Sequence, residues 1–240
     1  MSDEVMSNLI QAGPAAARRL SDDERARYEI HAERLIERVS WEGTRDVAVS
    51  ERMITTVAAH AALLAAGFEP RTDPFRHVTS VVIHPHTIVS REVRPGPAHG
   101  VVTDSPDHRA GQAGHGRGPI LLDWRTVQHD AAHPEQGINV VFHEFAHKLD
   151  DLDGVMDGMP PQPDRASRAE WQQTFGTNYR RLKRRGSDGL VRAYGATSPA
   201  EYFAVTTELF FIRPTDLHER LPRVYDRLSA FYNQDPASRA

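Results

Sequence analysis

Apolar residues recur at helical spacing in several stretches of the chain and at strand spacing in two. "SDDERARYEIHAERLIERV", from Ser21, opens on a capping serine and an acidic first turn, and Tyr28, Leu35 and Val39 fall among its inward positions. Residues 50–67 read as a second helix, alanine-rich and nearly apolar, deep in the core and stopped by Gly67. The β-branched run "VTSVVIHPHTIVS" (78–90) predicts a strand, and "GPILLDW" (118–124) a second one entered through Gly-Pro. Further helices are expected over 135–150, 166–185, 198–211 and 222–234. Between the strands, residues 91–117 hold glycines, prolines and histidines and few large apolar side chains, which predicts a long exposed loop with a short strand at 100–103. Residues 153–164 are a turn-rich loop. Residues 1–20 are small and polar and read as a flexible lead-in, leaving one domain over 21–236 and a tail at 237–240. No internal repeat is present. The class is α+β, helices packed on a small mixed sheet.

One helix carries candidate chemistry. In "NVVFHEFAHKLDDLD" (139–153), Val141, Phe142, Phe145 and Leu149, with Ile138 ahead of them, form the buried stripe. His143 and His147 stand one turn apart on a face bordering that stripe, so both rings can aim at one ion. Glu144 is rotated by roughly 100° from His143. It misses the ion yet reaches a water beside it, as a general base must. Thirteen histidines make chance H-E-x-x-H matches less rare in this chain, but the helical setting and apolar flanks favour a zinc site. His84-x-His86, on one face of the predicted strand, has no acidic neighbour and reads as two surface histidines.

Composition narrows the field. A chain of 240 residues with 39% hydrophobic content can bury a core as one domain, or at most two small ones. A net charge of −4, with "RRLKRR" (180–185) as the one basic block, argues against nucleic acid as partner. The absence of cysteine excludes disulfides, thiolate metal sites and a cysteine nucleophile, so any metal must be held by histidine and carboxylate. The N-terminus lacks a signal-peptide pattern. The most apolar long stretch, 53–68, is too short for a bilayer and contains His60. A cytoplasmic protein without membrane contact is expected.

A catalytic zinc takes three protein ligands, and two residues can supply the third. Asp153 stands six after His147, but that spacing works through a glycine turn at position 150, where this chain has Asp. Glu201 stands on a later helix, where Ser198-Pro199-Ala200-Glu201 also reads as a capping box. Glu201 and Glu208 lie two turns apart on an otherwise apolar helix, and acidic groups there need a partner.

"HEFAHKLD" followed some fifty residues later by "YGATSPAEYFAVTTELFF", together with "GPILLDW" and "FYNQDP", resembles the MtfA family of bacterial zinc peptidases, over about residues 20–236. That family is related to Mop and to the catalytic domain of anthrax lethal factor. The resemblance implies a gluzincin-type fold and one zinc per chain held by His143, His147 and Glu201. It implies Glu144 as general base, Tyr194 facing the oxyanion, and Glu208 supporting the ligands from behind. It further implies a peptide substrate and aminopeptidase character; the alternative reading is a regulator-binding protein in which the zinc fold is mainly a docking module, as in titration of a transcriptional repressor.

Overall fold

The computed structural model describes residues 3–44, 47–85, 118–187 and 189–239. In chain order these form α1 (Asp3–Ala12), α2 (Asp22–Arg38), β1 (Ser40–Gly43), α3 (Glu51–Ala65), β2 (Ser80–His84), β3 (Ile120–Asp123), α4 (Trp124–Ala132), α5 (Val140–Asp150), α6 (Arg165–Arg185), α7 (Pro199–Ile212), α8 (Pro214–Arg220) and α9 (Pro222–Tyr232). The α+β class is as expected. The described strands all pair parallel, in the order β1-β2-β3, rather than as a mixed sheet. Val81 and Ile83 of β2 and Ile120 and Leu122 of β3 point into the core. The expected 91–117 loop, its strand at 100–103 and His86 lie outside the described residues.

Local signals explain most of the helices. Ser21 forms a reciprocal capping box with Glu24, and Tyr28, His31, Ala32 and Leu35 are the buried face of α2. Ser50 caps α3, and every residue of that helix from Thr56 to Ala65 is buried. Gly67 is needed for a different reason than stopping a helix: a Cβ there would stand 2.0 Å from the carbonyl oxygen of Tyr232, where the end of α9 crosses. Asn233 then adopts a left-handed turn and donates its side-chain amide to the Gly67 carbonyl.

The lead-in expected at 1–20 is corrected. Residues 3–12 are helical and 15–19 form a 3-10 turn, with Leu9 and Ala17 fully buried. The physical reason is α3, whose apolar surface is too broad for α2 alone to cover; α1 packs on it, and Tyr28 donates its hydroxyl to the Leu9 carbonyl.

The site is built where α5 packs between α3, α7 and β3. The link between α5 and α7 runs through Gly158. Its N–H donates to Asp150 Oδ2 at the end of α5, and its carbonyl accepts the Trp171 indole N–H from α6. Its backbone lies so close to the start of α7 that a Cβ would meet the Pro199 carbonyl oxygen at 2.3 Å. With φ at +81° this position suits glycine alone. The loop after α5 is thereby pinned to both helices that carry the site.

Candidate metal centre

α5 begins where three acceptors converge on its free N–H groups. Asn139 caps it, its Oδ1 accepting the Phe142 N–H at 3.0 Å. Asp130 Oδ2 accepts the Val140 N–H at 2.9 Å, and Glu208 Oε2 accepts the Asn139 N–H at 2.7 Å. Two carboxylates at a helix N-terminus are favoured by the helix dipole. Together they fix the turn that carries His143.

His143, His147 and Glu201 come together. His143 Nε2 and His147 Nε2 are 3.2 Å apart, and Glu201 Oε2 and Oε1 lie 2.9 Å and 3.5 Å from them respectively. Bond lengths of 2.0–2.2 Å around a tetrahedral zinc give ligand–ligand edges of roughly 3.3 Å. The three observed separations bracket that value, and two imidazoles with one carboxylate are a donor set suited to zinc. Among the described residues this is the one group of histidines and acids so arranged. His143 is buried, whereas His147 and Glu201 keep some exposure, so the cluster has an inner wall and an open side.

Glu201 is not used as a cap. Ser198 Oγ accepts the Glu201 N–H at 3.2 Å, but the Glu201 carboxylate turns to the two histidines instead of back to the Ser198 N–H. Asp153 is exposed and accepts the Val155 N–H. Asp150, the position at which the chain would have to turn for Asp153 to face the two histidines, is helical with φ −61°, so the chain carries Asp153 outward.

Electrostatics in the cluster is dominated by charge pairing against burial. Burial works against a proton on His143, but the Glu201 and Glu208 carboxylates outweigh it and raise its pKa to about 10. Burial likewise opposes ionisation of Glu201, and the two histidines more than offset this and hold its pKa well below the usual carboxylate range. His143 and Glu201 therefore carry opposite charges, and a metal ion bound between them would take the place of the histidine proton.

Glu208 lies behind His143. Its Oε1 accepts the His143 Nδ1–H at 2.8 Å, which leaves Nε2 as the ring nitrogen facing the cluster. Arg192 grips the same carboxylate with two donors, at 2.7 Å and 3.0 Å. Tyr194 is half-buried beside the cluster, its ring 5.8 Å from the His143 ring. Glu144 and Lys148 share a face of α5, and Lys148 Nζ reaches the Gly118 carbonyl at 2.8 Å, just ahead of β3. That face is therefore directed toward the start of β3. His84 pairs with Thr44 through Nδ1 at 2.8 Å and belongs to no metal-holding group among the described residues.

Asn139, Asp130 and Arg192 were not singled out by the sequence. Asn139 had a signal, a capping residue directly before an apolar-periodic run. Asp130 and Arg192 had none, because their roles depend on contacts across the fold.

The whole arrangement has known relatives. Residues 2–233 match the model of a family described as glucose-regulated metallo-peptidase M90. The chain is 30% identical over 220 residues to an uncharacterized Synechocystis protein, slr2042, a match covering 90% of this chain and 79% of that one. It is 38% identical over 146 residues to Mlc titration factor A of Edwardsiella ictaluri, covering 58% of this chain and 54% of the relative. Over 129 residues it is 39% identical to Mlc titration factor A of Yersinia enterocolitica, covering 51% and 47%. The match thus spans about half the length of those two relatives. No helix among the described residues is long and apolar enough to cross a membrane.

Proposed function

The chain belongs to the glucose-regulated metallo-peptidase M90 family, and on that premise we propose that it is a zinc-dependent peptidase of aminopeptidase character. One zinc ion is held by His143, His147 and Glu201. The observation that carries this reading is the turn of the Glu201 carboxylate away from its own helix end to face both histidines. When bound, zinc lowers the pKa of a water to about 7 and polarises a carbonyl.

The chain's own residues supply the rest. Glu144, on the α5 face next to His143, takes the proton of the attacking water onto its carboxylate and passes it to the leaving nitrogen as the C–N bond breaks. Tyr194 donates its phenolic O–H to the oxygen that becomes negative when the carbonyl carbon is attacked. Glu208 keeps the proton on His143 Nδ1, so that Nε2 stays available as a ligand. β3 is an edge among the described strands, and Lys148 anchors its start beside Glu144. An extended peptide that pairs with this edge would lie across the open side of the cluster.

A second reading has one observation behind it. Relatives 36–39% identical are named Mlc titration factor A, which supports binding of a transcriptional repressor, with the zinc fold as a docking module. Glu144 speaks for catalysis, since a docking module has no use for a base. A screen of aminoacyl and peptidyl chromogenic amides, with and without chelator, tests the proposal. Chelator-sensitive hydrolysis of an alanyl or similar amide is expected; no hydrolysis of any amide by the zinc-loaded protein would leave the docking module as the better reading.

A further inference from the structure

Glu208 is 0% exposed and sits in α7, a helix otherwise buried through apolar and threonine side chains. An ionised carboxylate in such a place must be fully partnered. Its partners are His143 Nδ1, the Asn139 N–H and the two terminal nitrogens of Arg192. The guanidinium meets the carboxylate fork to fork, a geometry that a lysine ammonium cannot reproduce. The same guanidinium carbon lies 5.8 Å from the centre of the Tyr194 ring. Tyr194 follows two residues later, in the 3-10 turn Ala193–Ala196 for which Arg192 is the N-terminal flank.

Resting on the peptidase reading above, we propose that Arg192 is a positioning residue that ties two parts of the site to one guanidinium. Through Glu208 it fixes the ring of His143, and from beneath Tyr194 it fixes the phenol. Because its side chain is clamped to α7, the turn that begins at Arg192 is held against the helix that carries Glu201. A buried ion pair by itself is a poor source of stability compared with apolar packing. What the fork geometry adds is orientation: a carboxylate held at both oxygens cannot swing, and neither can the imidazole that donates to it.

The test uses the full chain, with Arg192→Met and Arg192→Lys made alone and in a Tyr194→Phe background. Zinc affinity is read by competition with a chromophoric chelator. kcat and KM are read on the best amide substrate at saturating zinc. Arg192→Met should weaken zinc binding about 10- to 100-fold and lower kcat about tenfold or more with KM little changed. Arg192→Lys, which keeps the charge against Glu208, should recover most of the zinc affinity and less of kcat. In the Tyr194→Phe background the kcat loss from Arg192→Met should largely vanish while the zinc loss persists. Wild-type zinc affinity and wild-type kcat in the folded Lys and Met variants would overturn the assignment. So would a kcat loss equally large with and without the Tyr194 hydroxyl. Should Arg192→Met not fold, a folded Arg192→Lys with unaltered kcat overturns it alone. A wild-type chain that neither holds zinc nor hydrolyses any amide would instead overturn the peptidase reading on which the assignment rests.

Discussion

His143 donates its Nδ1–H to Glu208 Oε1 at 2.8 Å across the contact between α5 and α7. The pair joins the helix bearing the H-E-x-x-H motif to the helix bearing Glu201, and it fixes which imidazole nitrogen faces the cluster. Glu208→Gln keeps the size of the side chain and removes the charge. Zinc affinity of that variant should fall about 10- to 100-fold, measured by chelator competition on the folded protein. Unchanged affinity would mean that the ring of His143 is held by packing alone.

Glu201 and Asp153 are separable by metal retention. Glu201→Ala leaves two imidazoles and should lose zinc on dialysis, whereas Asp153→Ala should keep it. Loss of a helix cap alone would cost about 1 kcal/mol and leave the metal in place. Zinc content by atomic absorption decides between them: zinc kept in Glu201→Ala and lost in Asp153→Ala would reverse the assignment.

Tyr194 lies beside His143 without a place among the three ligand atoms. Tyr194→Phe should lower kcat about 100-fold or more, in the range seen for loss of one oxyanion donor, with zinc content unchanged. Release of zinc by this variant would make the tyrosine a structural support of the site.

Asp150 is 0% exposed at the end of α5, and burial raises its pKa to about 8. In the unfolded chain the value is about 3.9. Between those two values the folded chain holds a proton that the unfolded chain has lost. The contribution of Asp150 to stability is thus full below about pH 4 and is lost as pH rises toward 8. Asp150→Asn keeps an oxygen for the Gly158 N–H and cannot ionise. Melting curves of the two metal-free proteins should coincide near pH 4, and the variant should melt at least about 5 °C higher at pH 8. Parallel pH dependence of both would show that Asp150 titrates normally.

The extent to which the site could be read ahead of the structure follows from where its information sits. The two histidines, Glu144 and the apolar stripe Val141, Phe142, Phe145 and Leu149 all lie within one helix, and local spacing is enough to place them. Ser21 and Ser198 cap their helices as the sequence indicates. β1 is not legible in the sequence because four residues, "SWEG", mostly exposed, show no alternation; only pairing with β2 makes them a strand. α4 is hidden because Trp124 reads as the end of a strand, whereas the Asp123 side chain accepts the Thr126 N–H and starts a helix there. Arg192 lies sixteen residues from Glu208, and nothing local distinguishes it from the chain's other arginines.

Turnover by the Glu144→Gln variant tests the central claim most directly. The substitution leaves His143, His147 and Glu201 in place and removes the carboxylate that the proposed mechanism uses as proton acceptor. The variant should retain about one zinc per chain while its kcat on the best amide substrate falls by about 10²–10⁴-fold. A zinc-loaded Glu144→Gln protein as active as wild type would contradict the peptidase mechanism.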